Sequence, residues 1–336
     1  MKKVLGLLLI LLVLSCTEKA NEPSYLKVTG ITMGVIHYSI TYLDEHTFNY
    51  SPEIDSLLDA FNQSLSTYVP DSEISLLNDQ GKLQYQSPFF YPILVASQEV
   101  YQITSGAYDP TVGPLVDLWG FGPGKKQVVP DSVSIVDAKR KIGFHHISFD
   151  NRSVETSNGV RLDFSAIAKG YAVDVVADFL KGKGIKNYFI EIGGEVACYG
   201  ENPSGKPWQI GIYDPRVEDD PAKQHAAIVK VKNQAIATSG NYRNYYEVDG
   251  KKYGHTISPY TGYPVQHSLL SASVFAKDCM SADAYATAFM VLGLEKSIAL
   301  VNQNNAIEAY FIYADERGQL KTFVSEGIKD EILTGN

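Results

Sequence analysis

The sequence is poor in cysteine and in positive charge. Its 336 residues include 3 Cys, and 29 Lys and Arg stand against 38 Asp and Glu, which gives a formal net charge of −9. This acidic balance argues against a nucleic-acid partner. No Cys-x-x-Cys pair supports a redox site, and the sequence leaves open whether Cys198 and Cys279 form a disulfide or remain buried thiols.

The chain also has neither of the two best-known glycine-rich nucleotide motifs. No Gly-x-Gly-x-x-Gly follows a strand-like segment, and no Gly-x-x-x-x-Gly-Lys-(Ser/Thr) occurs. Any nucleotide must therefore be held by other means. Internal repeats and coiled-coil heptads are missing as well, so the length fits one large domain or two closely packed ones.

A basic start and a short apolar run stand at the N-terminus. Residues 4–14 are almost purely apolar, and Ser15 and Cys16 follow them. The run is too short to cross a bilayer as a helix and is typical of a secretory signal. A small residue before a cysteine at this place resembles a bacterial lipobox. We expect residues 1–15 to be a lipoprotein signal peptide, Cys16 to be lipidated and residues 16–28 to form a tether, with an ordinary signal peptide as the alternative.

Such an anchor would hold the protein on a membrane without a spanning helix. We expect the protein in the bacterial cell envelope, facing the periplasm, with the choice between inner and outer membrane left open. Residues 29–336 then form the folded part of the chain.

Helical and strand-like patterns alternate irregularly along this part, which favours an α+β fold over a regular βαβ protein. The predicted helices are 51–65, about 91–105, 165–182, 281–292 and 295–302. The predicted strands are 34–42, 188–192, 209–213, 227–231, 235–238, 245–248, 270–275 and 309–313.

Asp283 and Thr287 lie four residues apart in a helical stretch. Their side chains therefore project from one face, one turn apart. Carboxylate and hydroxyl oxygens are hard ligands that suit Mg²⁺, which keeps positions open for phosphate oxygens. The alternative is a helix start in which Asp interacts with the helix dipole and Thr caps locally.

Two further segments could carry chemistry. Asp163 and Ser165 are natural cap residues before a helix, and the free amides of such a helix start also suit an anion, with Lys169 one turn further on. His255 lies in a turn-rich segment and is a plausible general base for a hydroxyl nucleophile, although a lone histidine is more often a surface or packing residue.

The order of several short motifs resembles the ApbE family of FAD:protein FMN transferases. They cover about residues 29–332 of the chain. The motifs are Gly30-x-Thr-Met-Gly34, Ser66-Thr-Tyr68, Gly106-Ala-Tyr-Asp-Pro110, Asp163-Phe-Ser-Ala-Ile-Ala-Lys-Gly170, Ile192-Gly-Gly194, Ala237-Thr-Ser-Gly240, His255-x-Ile-x-Pro259 with Thr261-Gly262, and Asp283-Ala-x-Ala-Thr287.

The resemblance implies an α+β flavin-transferase fold with mixed and antiparallel sheets, packed helices and a central cleft for FAD. It implies that Asp283, Thr287 and the backbone oxygen of Ala166 bind Mg²⁺ and that His255 activates the acceptor hydroxyl. The positions that match FAD contacts in the family are Met33, Tyr68, Ala107, Tyr108, Asp109, Asp163, Lys169 and Ile257.

The resemblance further implies the transfer of FMN from FAD to a threonine, with release of AMP. The family's acceptors carry an Asp-x-x-(Ser/Thr)-(Gly/Ala)-x-Thr motif and include subunits of quinone reductases and related electron-transfer complexes. Two alternatives stay open: a magnesium-dependent FAD pyrophosphatase that forms FMN and AMP, and a lipoprotein that binds FAD without turnover. Val35, Ile36 and His37 depart from the family pattern, as do Tyr108 in place of Phe and Ser258 in place of a frequent Asp.

Overall fold

The computed structural model describes residues 24–122, 128–215, 225–240, 245–248 and 250–333, without the side chains of residues 251 and 252. The predicted signal peptide and Cys16 lie outside these ranges. Within them, no helix combines the length and the apolar character needed to cross a bilayer.

The described helices are α1 Ser51–Leu65, α2 Glu73–Gln80, α3 Phe90–Ile103, α4 Gly113–Leu118, α5 Ser132–Lys139, α6 Ala168–Gly182, α7 Cys279–Leu292 and α8 Leu294–Gln303. The described strands are β1 Ser24–Thr32, β2 Ile36–Asp44, β3 Lys82–Gln84, β4 Ile147–Phe149, β5 Ser153–Thr156, β6 Tyr188–Ile192, β7 Glu195–Tyr199, β8 Trp208–Tyr213, β9 His225–Val231, β10 Gln234–Gly240, β11 Tyr245–Val248, β12 Lys251–Gly254, β13 Leu269–Ala276, β14 Ile307–Ala314, β15 Leu320–Val324 and β16 Ile332–Leu333.

An eight-stranded antiparallel sheet forms the centre of the fold, in the order β1-β2-β6-β7-β10-β13-β14-β15. Helices α6 and α7 pack on one face, and the small sheet β16-β9-β8 packs on the other. Successive side chains of β10 point to opposite faces of the sheet. Ala235 and Ala237 face the helices, and Ile236 faces the small sheet. The predicted α+β class is confirmed; among the described residues the only parallel pairing is the isolated bridge between Val112 and Arg161.

The structure differs from the sequence prediction at the start of the domain. Residues 24–28, which we expected in the tether, form the first half of β1, and β1 pairs along its whole length with β2. Val28 is buried in this pairing. The polar, irregular pattern of residues 24–32 hides a strand because β1 is at the edge of the sheet, where only part of its length contacts the core.

The two central helices are joined by a carboxylate. Asp174 on α6 accepts hydrogen bonds from the backbone N–H groups of Cys279 and Met280, both at 2.8 Å, and Asp278 caps the same end of α7 by accepting from Ser281. Burial raises the pKa of Asp174 to about 7, although both N–H groups favour its ionised form. This contact holds the N-terminus of α7 against α6.

The two described cysteines are separate thiols, which answers the question that their spacing left open. Cys198 and Cys279 are both buried and free. Cys198 is on the face of the large sheet that packs against the small sheet, whereas Cys279 begins α7 in the helical layer. The thickness of the sheet therefore keeps the two sulfur atoms apart.

Candidate functional site

A cleft of about 630 Å³ opens where the helical layer meets the ends of the central strands. Such a volume is ordinary for a small-molecule site. Eleven of the twelve site residues predicted within the folded part line this cleft, although they come from five separate stretches of sequence. They are Tyr68, Ala107, Tyr108, Asp109, Asp163, Ala166, Lys169, His255, Ile257, Asp283 and Thr287.

Met33 is the predicted site residue that does not line the cleft. It occupies the turn between β1 and β2 with a φ of +48°, and Gly34 follows at +82°. This hairpin turn needs left-handed backbone at both positions, and the Met33 side chain packs against the main core. A contact between Met33 and FAD stays a prediction.

Asp283 and Thr287 lie one turn apart on α7, as their spacing predicted. The Asp283 side chain is buried, and one of its oxygens accepts a hydrogen bond from the Gly170 backbone N–H at 3.0 Å. The Thr287 hydroxyl is 3.1 Å from the hydroxyl of Ser239 on β10. The two groups therefore face α6 and the central sheet across the floor of the cleft.

The entry into α6 differs from the prediction, because the helix begins at Ala168 and not at Ser165. Asp163 accepts hydrogen bonds from the backbone N–H and the hydroxyl of Ser165, at 2.8 and 2.5 Å. These bonds stabilise a turn in place of the first helical residues. Asp163 is thus the centre of a turn and not the cap of the helix.

This turn changes the hydrogen bonding of Ala166. In an uninterrupted helix the Gly170 N–H would donate to the Ala166 carbonyl, four residues earlier. Here it donates to Asp283, and no other backbone N–H in the described part of the chain bonds to the Ala166 oxygen. The carbonyl oxygen thus receives no backbone hydrogen bond there, and Ala166 and Asp283 both line the cleft.

Gly170 is required by the close approach of α6 and α7. A methyl group added at its Cα would overlap the carbonyl oxygen of Cys279 and lie 2.8 Å from the Cβ of Asp283. Only glycine lets the two backbones come this near, and the Gly170 N–H reaches Asp283 for the same reason.

Lys169 forms a salt bridge with Glu195 at the start of β7. Burial disfavours the Lys169 ammonium, but the charges of Asp283 and Glu195 outweigh this effect and raise the pKa of Lys169. Burial also raises the pKa of both carboxyl groups, and Lys169 acts against it. One partly exposed cation and two buried carboxylates thus share a wall of the cleft.

His255 lies at the cleft in a loop that several contacts hold in place. Ile257 in this loop is buried in a small apolar cluster with Trp119. The Trp119 indole N–H donates to the Gly262 carbonyl at 2.8 Å, and the Tyr260 hydroxyl donates to the carbonyl of Ser105 at 3.1 Å. The loop is therefore fixed both to α4 and to the segment that precedes Ala107.

Ser258, which stands where the family often has Asp, has a local role in the same loop. It is buried, and its hydroxyl accepts a hydrogen bond from the Thr261 N–H at 3.3 Å. Serine therefore supports the turn that follows His255.

The segment after α3 brings a buried carboxyl group to the opposite wall. Asp109 accepts hydrogen bonds from the backbone N–H and the hydroxyl of Thr111, at 2.9 and 2.6 Å. Burial raises the pKa of Asp109 from 3.8 to about 6, against the opposing effects of Thr111 and His145. Tyr108 turns its hydroxyl into the core, 2.9 Å from that of Ser97, so tyrosine fits where the family usually has phenylalanine.

Several cleft residues were not predicted as site residues. Gly193 and Gly194 carried a signal, since a glycine pair marks a tight turn, but their neighbour Glu195 carried none. Thr238, Ser239 and Gly240 belong to a motif whose role was not assigned. Tyr213 and His225, on neighbouring strands of the small sheet, had no signal in the sequence.

No group of three or more His, Cys, Asp or Glu side chains in the described ranges is arranged to hold a metal ion. A metal held by protein side chains alone is thus not indicated there. The remaining donor set at the cleft floor is one carboxylate, one hydroxyl and one backbone carbonyl, all oxygen. Such a partial set suits a hard cation that receives its other ligands from phosphate and water.

Comparison with known proteins gives a consistent result. A model described as the ApbE family matches residues 33–311. A protein of Vibrio cholerae named FAD:protein FMN transferase is 38% identical over 337 residues, and the alignment covers 98% of each chain. A protein of the same name from Haemophilus influenzae is 35% identical, with 95% of each chain covered.

Solved structures agree with these relatives. The flavin transferase ApbE from Vibrio cholerae superposes with a TM-score of 0.82 at 35% identity, covering 92% of this chain and 99% of the other. The apo form of the Pseudomonas stutzeri flavinyl transferase ApbE gives a TM-score of 0.82 at 34% identity, with 92% and 97% covered.

The close approach of α6 and α7 at Gly170 can be tested by adding a methyl group there. We expect Gly170→Ala to lower the free energy of unfolding by about 1–3 kcal/mol, because the added methyl group has no space between α6 and α7. Gly182→Ala, at the end of the same helix, is the matched control, since a methyl group there meets no atom within 4 Å. Urea unfolding of both variants checks this. Equal effects at the two glycines would contradict the tight packing at Gly170.

The buried Asp109 predicts a pH dependence. Its pKa is higher in the folded protein than in the unfolded chain, so its contribution to stability is present below about pH 4 and is lost as the pH rises through about 6. A difference of about two pKa units corresponds to about 3 kcal/mol. We expect Asp109→Asn to match the wild type below pH 4 and to be about 1–3 kcal/mol more stable above pH 7. Urea unfolding across this range measures the difference, and a pH-independent gap would contradict the assignment.

Proposed function

The chain belongs to the ApbE family, and we propose that it is an enzyme that transfers FMN from FAD to a threonine hydroxyl of an acceptor protein, with release of AMP. The observation that carries this proposal is the convergence in one cleft of Asp283, Thr287, the available carbonyl of Ala166 and His255. A protein that only stores FAD has no need for a histidine beside a set of oxygen ligands.

We propose Mg²⁺ as the metal of this site. The donor set fits it, because Asp283, Thr287 and Ala166 offer three hard oxygen atoms and leave room for phosphate oxygens. The magnesium ion would supply charge neutralisation for the pyrophosphate when bound. The Gly170 N–H orients the Asp283 carboxylate, so one of its oxygens is already committed and the other remains for the cation.

The remaining chemistry falls to residues of the chain. His255 is the proposed base, which accepts the proton of the acceptor hydroxyl. The hydroxyl oxygen then forms a bond to the phosphorus on the FMN side, the bond from that phosphorus to the bridging oxygen breaks, and AMP leaves with that oxygen. The loop contacts of Trp119 and Tyr260 hold His255 in position for this step.

The proposed FAD contacts divide between the two walls. Lys169 and the turn at Asp163 stand beside the floor that would take the pyrophosphate, while Ala107, Tyr108 and Asp109 form the opposite wall with Ile257. The Tyr68 side chain is 68% exposed and lines the cleft, so its ring is free to cover a flat heterocycle.

We further propose that the acceptor carries the Asp-x-x-(Ser/Thr)-(Gly/Ala)-x-Thr motif and faces the same compartment as the enzyme. The sequence pattern around Cys16 supports a lipid-anchored protein in the cell envelope, on the periplasmic side.

The decisive experiment supplies an acceptor. The soluble domain is incubated with FAD, Mg²⁺ and a protein that bears the motif, and covalent flavin is followed by in-gel fluorescence and intact mass. We expect a mass increase equal to one FMN less water and one AMP per labelled acceptor. AMP without a labelled acceptor would instead identify a pyrophosphatase, and no AMP would identify a flavin carrier.

Removal of the proposed metal ligand should abolish turnover. We expect Asp283→Asn, which keeps the shape of the side chain but not its charge, to lower the rate of AMP release by more than about 100-fold. Asp178→Asn is the control, because this exposed carboxylate on α6 forms a salt bridge with Lys181 and with no other residue of the described ranges. Full turnover of Asp283→Asn at low Mg²⁺ would remove Asp283 from the metal site.

Loss of the proposed base should separate binding from chemistry. We expect His255→Ala to bind FAD as the wild type does, measured by quenching of flavin fluorescence, and to transfer FMN about 10²–10⁴-fold more slowly. His46→Ala, in the exposed loop after β2, controls for loss of a histidine. An unchanged transfer rate would make His255 a structural residue.

The anchor is tested in a bacterial host that is fed an alkyne fatty acid. We expect the full chain to become labelled and to sediment with membranes, whereas Cys16→Ala should remain unlabelled, since acylation occurs on that sulfur. Labelling of the Cys16→Ala chain, or none of the wild type, would contradict the lipoprotein assignment.

A further inference from the structure

The Lys169 ammonium has two carboxylates within electrostatic range but forms a salt bridge with only one of them. It pairs with Glu195, while Asp283 acts on it through the field of its charge. Asp283 is the residue that the proposed function needs as a cation ligand. An ammonium bound directly to Asp283 would occupy the oxygen that Gly170 leaves free.

The backbone explains why Lys169 reaches Glu195. The side chain of Lys169 runs past Gly193, where an added methyl group would lie 3.4 Å from its Cδ. Gly193 and Gly194 form a tight turn between β6 and β7 with φ values of +61° and +102°. This turn delivers Glu195, the first residue of β7, to the end of the lysine side chain.

Glu195 has little else to bind. The residue is only 2% exposed, and the second oxygen of its carboxylate has no hydrogen-bond partner among the described residues. A buried carboxylate with one partner is a strong binding site for a cation nearby. The salt bridge with Lys169 is therefore the main interaction of the Glu195 carboxylate.

We propose that Glu195 is a positioning residue that holds the Lys169 ammonium away from Asp283 and so keeps the Asp283 carboxylate available to a divalent cation. The inference rests on the proposed function, since it takes Asp283 as a metal ligand. Without Glu195, the lysine has Asp283 as its remaining carboxylate partner at this wall, and metal and ammonium compete for the same oxygen.

The test measures metal binding and not turnover. Mn²⁺ alone is titrated into the protein and followed by electron paramagnetic resonance, and Mg²⁺ affinity is obtained by competition. We expect Glu195→Gln to weaken binding of both ions by about 10-fold or more. Glu191→Gln is the matched control, because it removes an equal charge four residues away and keeps an oxygen for the Gly194 N–H.

The double variant Lys169→Gln with Glu195→Gln separates competition from general damage. Without the ammonium nothing competes for Asp283, so we expect affinity to return to within about 3-fold of the wild type. The double variant is preferred to Lys169→Gln, which would leave Glu195 buried and unpaired. A double variant as weak as Glu195→Gln would overturn the proposal.

Unchanged affinity of Glu195→Gln for Mn²⁺ would also overturn the proposal. An equal loss of affinity in Glu191→Gln would do the same, because it would trace the effect to negative charge in general and not to the partner of Lys169.

Asp283→Asn in the same titration keeps the two hypotheses apart. If Asp283→Asn loses Mn²⁺ and Glu195→Gln does not, only the role of Glu195 is wrong. If the wild type takes up no Mn²⁺, or Asp283→Asn binds it equally well, the metal site itself is wrong and the role of Glu195 fails with it.

Discussion

The contact between α6 and α7 at Gly170 is the constraint on which the cleft floor depends. Because Gly170 has no side chain, the backbones of the two helices meet closely enough for its N–H to donate to Asp283 at 3.0 Å. One hydrogen bond thereby does two things. It orients the carboxylate, and it withdraws a donor from the Ala166 carbonyl, which becomes available at the cleft. Asp174 secures the same pair of helices at the N-terminus of α7.

The charges at this floor follow from the same packing. Two buried carboxylates lie beside one ammonium, and a buried charge needs a partner or a ligand. Lys169 and Glu195 pair with each other, and Asp283 accepts a hydrogen bond from a neutral N–H donor. The Asp283 carboxylate therefore keeps a negative charge that no ammonium neutralises by direct contact. Such a site suits a cation together with a polyphosphate, as expected of an ApbE enzyme that acts on FAD.

The sequence predicted those features of the fold and of the site that depend on neighbouring residues. The helix period placed Asp283 and Thr287 on one face of α7, and α1 spans the predicted residues 51–65, although Tyr50 is its N-cap residue and no side chain caps it. The start of α6 was not predictable in this way, because Asp163 forms a turn with Ser165 and the Gly170 N–H bonds to a residue 113 positions away. Strand β1 was not predicted, because a strand at the edge of the sheet has mostly exposed residues and its sequence resembles that of a tether.

The sequence by itself determined the α+β class, the family through the order of its motifs, and the residue types that supply oxygen ligands and a base. These are properties of short segments, whose geometry is set by neighbouring residues. Only the tertiary structure decided that Glu195 pairs with Lys169, that the Ala166 carbonyl is available, and that Cys198 and Cys279 are kept apart. Each of these depends on contacts between distant elements, and no local pattern encodes which side chains meet when a sheet and two helices pack together.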